Sequence, residues 1–319
     1  MKKILFLTAF FLFGNLAAAD FSPKNWGYQL QNFHFKNLKK APHEVIVIDA
    51  QKDDGTFWSR AEIAEMRKNG KKIIAYFSVG EAENYRFYFD EIRGKKCEKT
   101  AFRPFFNPRK NAFDSRKNCR SGNILGAENQ HWAGNFAVKF WTNKWQKRAI
   151  FPTLEKILAA DFDGIYLDKI DAFEDWGGDR TKRFFARKMA KLVADISRTA
   201  KKKRGKKFLV LPQNGLEILP NLDPKTRKWF LKSIDGWALE SLFFDTTRRD
   251  RARRVFLLKK YFLKTKKPIF VVEYSDKKNE KKLEKWRKYF SEKLKISIIL
   301  FRAENDANLD ELSPVFLGK

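Results

Sequence analysis

Several segments of the chain run apolar and β-prone, then end on a residue able to hold or move a proton. The clearest is Gly164-Ile165-Tyr166-Leu167-Asp168, followed closely by Lys169, Asp171 and Glu174. Side chains alternate across a strand, so Gly164, Tyr166 and Asp168 share one face and Ile165 and Leu167 the other. The same phasing groups Asp49 with Val45 and Val47, and Ser78 with Ile74 and Tyr76, with Glu81 just beyond. It groups Gln213 with Leu209 and Leu211, next to Asn214, and Glu240 with Gly236 and Ala238. It also groups Glu273 with Ile269 and Val271, and Arg302 with Ile298 and Leu300. Each has a plainer reading alone. Asp49 and Asp168 suit turns after strands, and Arg302 suits a counter-ion. Glu240 resists that reading, because Gly236 and Ala238 leave room beside it. A ring of such ends in one phase marks a place where a packed interior gives way to a site.

The inventory limits the chemistry. Only His34, His43 and His131 are present, and none falls at a strand end. A histidine metal cage, a Ser-His-Asp triad and an H-E-x-x-H helix are therefore excluded or nearly so. No Walker loop or G-x-G-x-x-G turn appears, so no nucleotide and no specific nucleic acid is expected. A carboxylate-only Mg²⁺ or Ca²⁺ site stays open, but nothing requires it and no cofactor is expected. What remains is carboxylates, amides, tyrosines and a few cations. That set suits glycoside hydrolysis, in which one carboxylic acid protonates the leaving oxygen and a second carboxylate attacks or activates water. Trp132 can offer a platform to a sugar face or pack in the core.

Elements must hold these groups. Eight strand-like runs occur at 26–30, 45–49, 73–79, 164–168, 208–211, 236–240, 269–273 and 296–301. Helical patterns lie between most of them. Ser59-Arg60-Ala61-Glu62 reads as a capping box opening a helix over 59–69, stopped at Gly70. Phe185, Met189, Leu192, Val193 and Ile196 repeat at helical spacing behind Asp179 as cap. Val255, Leu258 and Phe262, then Leu283, Trp286 and Phe290, mark two more helices. Alternating strand and helix implies parallel strands, and eight units imply a (β/α)8 TIM barrel. The connection after the third strand is too long for one helix. A helix near 142–160 fills part of it, and about 84–140 forms an elaborated loop over the mouth.

The first nineteen residues read as a signal peptide. Lys2 and Lys3 precede an apolar run, Ile4 to Phe13, and Ala17-Ala18-Ala19 offers a cleavage site. An uncleaved anchor is the rival. The mature chain then begins at Asp20, with no transmembrane segment after cleavage and a periplasmic or secreted bacterial location. Cys97 and Cys119 suit a disulfide in that compartment, with two free thiols as the alternative. The formal charge is +29, or +27 without Lys2 and Lys3. Electrostatic association with anionic envelope polymers is a further expectation. The run Arg248, Arg249, Arg251, Arg253, Arg254 is either its adhesive patch or a solvated helix face.

Six stretches in order carry a resemblance: "VIVIDAQKDDG" (45–55), "KKIIAYFSVGEAENYRFYF" (71–89), "FDGIYLDKIDAFE" (162–174), "LPQNG" (211–215), "ALESLFF" (238–244) and "VVEYSD" (271–276). Together they resemble glycoside hydrolase family 114, the endo-α-1,4-polygalactosaminidase-like TIM-barrel group. The resemblance implies catalytic acids after the fourth and sixth strands, at Asp168 and Glu240, with Glu240 as acid and Asp168 as nucleophile or base. It implies substrate-binding positions at Asp49, Tyr76, Glu81, Arg86, Asp171, Gln213, Asn214 and Tyr274. Its polysaccharide substrate is an amino-sugar chain, partly cationic. A chain of this charge repels such a polymer at long range, so the local sign at the mouth decides. The Cys97–Cys119 segment looks like an insertion into the compact family pattern. A barrel that grips envelope glycan without cutting it is the competing function.

Overall fold

The computed structural model describes residues 21–93 and 124–315, with the backbone of a ribbon, Phe106–Asn107 and Ala112–Phe113, between them. The leader segment, Cys97 and Cys119 lie outside the described residues.

Eight parallel strands form the centre: β1 Trp26–Gln29, β2 Val45–Asp49, β3 Lys72–Ser78, β4 Gly164–Asp168, β5 Leu209–Pro212, β6 Trp237–Glu240, β7 Ile269–Tyr274 and β8 Ile299–Ala303. They pair in chain order, β1 to β5 in one sheet and β6 to β8 in another. A bridge from Gln213 to Ala238 joins β5 to β6, with Asn214 N–H donating to Ala238 O at 2.8 Å. At the other seam, Trp26 Nε1 donates to Ile299 O at 2.9 Å, tying β1 to β8. The helices between strands are α1 Phe35–Lys40, α2 Arg60–Arg67, α3 Phe151–Ala159, α4 Asp179–Arg204, α5 Pro224–Ser233, α6 Arg248–Leu257 and α7 Glu280–Glu292. This is the expected (β/α)8 class.

The strands are buried on both faces. Inside, Trp26, Tyr28, Tyr166, Phe270 and Phe301 fill the centre. Trp26 meets Phe270 edge-on at 5.3 Å, and Tyr28 meets Tyr166 at 5.1 Å. The interior is thus a plug of rings, and truncating Phe270 to alanine removes about 3–5 kcal/mol. Outside, Ile165, Leu167, Val210 and Leu239 pack under the helices.

Local signals explain the helices. Ser59 and Glu62 make both halves of the capping box at the start of α2. Asp179 is not a cap: Gly178 occupies that position, and Asp179 is the first residue of α4, where its charge meets the positive end of the helix. The phase expected for two strands is corrected. In β7, Phe270 and Val272 point inward while Ile269 and Val271 pack outward. In β8, Phe301 and Ala303 point inward and Leu300 outward. Glu273 and Arg302 therefore leave the mouth. Runs that are apolar on both faces carry no period to fix their phase.

Beyond β3 the chain builds a three-stranded antiparallel sheet over the rim: Glu81–Glu83, then Asn135–Val138, then Leu125–Glu128. Gly80 permits this. A Cβ there would stand 2.1 Å from Lys169 O, so no side chain fits between the ends of β3 and β4.

Candidate active site

Asp168 ends β4 facing inward, and the next residue turns sharply. Lys169 sits in the left-handed region at φ 58°, which returns its N–H to Asp168 Oδ1 at 2.6 Å. Tyr76, inward on β3, donates its hydroxyl to Asp168 Oδ2 at 2.7 Å. Glu240 ends β6 in the matching position. Tyr274, inward on β7, donates to Glu240 Oε1 at 2.6 Å. Asn214, itself left-handed at φ 55°, donates Nδ2 to Glu240 Oε2 at 2.8 Å and accepts from Glu240 N–H at 3.1 Å. Asparagine is among the few residues that tolerate that conformation.

Both carboxyl groups line one cavity of about 500 Å³. Their partners are neutral donors rather than cations, and that governs their protonation. Burial, then the charge of Glu240, pushes Asp168 up to about 7, against the opposing pull of Tyr76. Burial also raises Glu240, while Tyr274, Asn214 and Gln213 pull it back and the charge of Asp171 adds to the rise. Two like charges near each other in one cavity do not both ionise readily, so the pair favours holding one proton between them. One protonated and one ionised carboxyl is the state that acid–base cleavage requires.

Around the pair lie two fixed charge networks. Arg86 donates to both carboxylate oxygens of Asp49, at 2.7 and 2.6 Å, to Glu83 Oε2 at 2.6 Å and to Gln51 Oε1 at 2.9 Å. With its guanidinium engaged on all sides, Arg86 shapes the wall through Asp49 and Glu83. Lys169 Nζ lies 3.5 Å from Glu81 and 3.9 Å from Asp171. Asn129 Nδ2 also donates to Glu81, at 2.9 Å. Asp49, Glu81, Glu83 and Asp171 all border the cavity, against Lys169 as the cation among its lining residues. The mouth of a strongly basic chain is thus locally acidic.

The structure brings Asp49, Tyr76, Glu81, Trp132, Asp168, Asp171, Asn214, Glu240 and Tyr274 to this one cavity. Gln213 is buried beside Glu240, and Arg86 stands behind the wall. Trp132 lies on the turn of the rim sheet and is 56% exposed, so it is no core residue. Sequence reasoning missed Tyr85, 63% exposed on the same cavity. Its placement between Glu83 and Arg86 in a quoted motif was the available signal. Asn308 and Leu309 also reach the cavity. Leu309 O is held by Leu30 N–H at 2.7 Å, a tail contact with no sequence signature.

Three arginines of the run are engaged by the protein itself, while Arg248 and Arg249 stand exposed. Arg251 donates to Leu242 O and Phe243 O, Arg253 grips Glu217, and Arg254 donates to Glu240 O. Among the described residues, no three His, Cys, Asp or Glu side chains cluster to hold a metal ion. No helix among them is long and apolar enough to cross a membrane.

An eight-stranded parallel barrel with paired acids at the carboxyl ends of its strands has the architecture of a glycoside hydrolase. The chain belongs to glycoside-hydrolase family GH114, whose model matches residues 14–103 and 107–315. An uncharacterized protein of Methanocaldococcus jannaschii is 35% identical over 92% of this chain and 79% of its own length. An uncharacterized protein of Thermotoga maritima is 30% identical over 91% of this chain and 84% of its own. Among solved structures, the glycoside hydrolase domain of PelA from Pseudomonas aeruginosa superposes with a TM-score of 0.62 at 15% identity, covering 91% of this chain and 97% of that one. Aspergillus fumigatus Ega3, solved in complex with galactosamine, superposes with a TM-score of 0.59 at 16% identity, covering 94% and 100%. At such identities the likeness is one of fold.

Proposed function

We propose that this glycoside hydrolase cleaves a galactosamine-containing polysaccharide, with Asp168 and Glu240 as the working pair. One observation carries the reading: two half-buried carboxyl groups line a single cavity, each oriented by a tyrosine hydroxyl, with raised proton affinity. One gives its proton to the glycosidic oxygen, and the other attacks the anomeric carbon or activates water. The amino-sugar substrate is supported by the mouth. Its acid excess attracts an ammonium-bearing sugar at short range, where the overall charge of the chain would repel it. The galactosamine held by Ega3 points the same way by analogy.

Burial raises both carboxyl groups, so the protonation of the pair does not by itself choose the acid. The resemblance assigns Glu240 as acid. Chemical rescue separates the two: added azide restores the alanine variant of a nucleophile, and a good leaving group restores that of an acid. The decisive experiment offers purified protein an α-1,4-linked galactosamine polymer. Shortened chains are expected, with no shortening by Asp168→Asn or Glu240→Gln. Binding without product over long incubation would leave the chain as a glycan-gripping barrel.

The leader segment supports export, giving a periplasmic or secreted enzyme. Amino-terminal sequencing of the protein from the producing cell should begin at Asp20. The same reading joins Cys97 to Cys119, which a mass measurement under non-reducing conditions checks.

A further inference from the structure

The residues that follow Glu240 are gripped by charged side chains from outside the barrel. Arg254, on α6, donates Nη1 to Glu240 O at 2.7 Å and to Ser241 O at 3.3 Å. Arg251, one turn earlier, donates to Leu242 O at 3.0 Å and Phe243 O at 2.7 Å, with its guanidinium 4.6 Å over the Trp286 ring. From the other side Glu273, fully buried, accepts the N–H of Phe243 at 2.8 Å and of Phe244 at 3.1 Å. Ser241 N–H goes to Val272 O at 3.0 Å. Four successive carbonyls and three N–H groups of one short segment are thereby fixed.

Such a grip answers a need. Ser241 lies in the left-handed region at φ 47°, a conformation that persists at a non-glycine residue only when its surroundings impose it. Burying a carboxylate and committing two half-buried guanidinium groups to backbone carbonyls is also an expensive way to end a strand. Burial raises the Glu273 carboxyl to about 7 even with the segment's N–H groups and the charge of Arg254 opposing it. The hold begins at the carbonyl of Glu240 itself, so the backbone direction there sets where its carboxylate lands between Tyr274 and Asn214.

We propose that Arg254 and Glu273 are positioning residues for Glu240, holding the segment from Glu240 to Phe244 so that its carboxylate stays on the Tyr274 and Asn214 donors. Neither touches the cavity, and neither is a catalytic residue. The inference rests on Glu240 being one of the two working acids. A carboxylate displaced by about an ångström loses on the order of 100-fold in rate.

The test uses the full chain with Arg254→Ala, Arg254→Lys and Glu273→Gln, and Arg253→Ala on the same helix as control. Rates are normalised to folded protein and measured well below each variant's Tm. Arg254→Ala and Glu273→Gln should lower kcat by about 10- to 100-fold with KM within about threefold. Arg254→Lys, which keeps one donor, should recover part of the loss, and Arg253→Ala should match wild type. Unchanged kcat in folded Arg254→Ala overturns the proposal, as does an equal loss in the control. A crystal structure of Arg254→Ala separates this from the functional reading. If Glu240 has left Tyr274 and Asn214, the grip is real even should no galactosamine polymer be cut. If Glu240 has not moved, the proposal fails. Should Arg254→Ala not fold, Arg254→Lys and Glu273→Gln carry the same two readouts.

Discussion

The two ends of the barrel use the same acid in opposite company. At the amino ends of the strands, Asp161 and Asp163 stand between cations. Arg67 reaches both at 3.1 Å, Lys72 reaches Asp163 at 3.1 Å, and Arg204 pairs with Asp161. Asp163 also accepts the N–H of Ile73 at 3.0 Å. At the carboxyl ends, Asp168 and Glu240 are held by tyrosine, asparagine and backbone donors. A cation fixes a carboxylate as an anion. A neutral donor fixes its position while leaving its proton in play. The floor acids are arranged for stability and the rim acids for proton transfer, although both kinds lie beside the same strand, β4.

The sharpest way to break this contrast is to neutralise one acid at each end. Asp168→Asn or Glu240→Gln should lower kcat by about 10³-fold or more, since a positioned acid or base supplies 10²–10⁴-fold and each variant also disturbs its partner. The fold should hold, as judged by circular dichroism and Tm. Asp163→Ala should do the reverse. It takes one of two acidic partners from Arg67, the partner from half-exposed Lys72 and the acceptor from the Ile73 N–H, removing about 2 kcal/mol of stability, with kcat per folded molecule unchanged. A floor variant that folds normally yet loses rate would erase the distinction.

The next effect is in pH. Asp168 has its ordinary carboxyl value, 3.8, when unfolded and about 7 when folded. Between these the folded state binds more protons, so the contribution of this group is fully present below about pH 4 and is lost as pH rises through about 7. Asp168→Asn should therefore gain nothing in chemical denaturation at pH 4 and on the order of 4 kcal/mol at pH 8. Activity should decline on the alkaline side near neutrality, as the pair loses its shared proton. Tyr274→Phe removes a donor to the ionised form of Glu240 and should move the acid limb upward. An activity plateau extending well past pH 9 would contradict the shared proton.

Much of this site could be read from the chain, and the reason is physical. In β2, β4 and β6 an inward face of Val45 and Val47, Gly164 and Tyr166, or Ala238 leads to an acid, so composition and phase agree. β7 and β8 are apolar on both sides, and nothing but packing chooses the face. That choice made Tyr274 the inward residue and turned Glu273 into a backbone clamp. The partners of Arg86 were equally hidden, since an arginine can meet a substrate or a wall and only the fold brings Asp49 and Glu83 to it. The role of the arginine run emerged in the same way, because a helix face shows charge in sequence but not what its side chains reach.

The smallest expected effect lies furthest from the acids. Trp132 and Tyr85 stand exposed on the insertion that overhangs the cavity, and Tyr85 is braced by the Arg86 guanidinium 4.9 Å from its ring. Exposed rings on a cavity wall stack on sugar faces, but they touch no reacting atom, so their binding energy is shared by bound substrate and transition state alike. Trp132→Ala and Tyr85→Ala should each raise KM by about 3- to 10-fold on a long polymer and leave kcat within twofold. The effect should shrink on short oligomers that do not reach the overhang. A large fall in kcat would instead place these rings among the groups that orient the scissile bond, and the division between holding at the rim sheet and reacting at the strand ends would have to be redrawn.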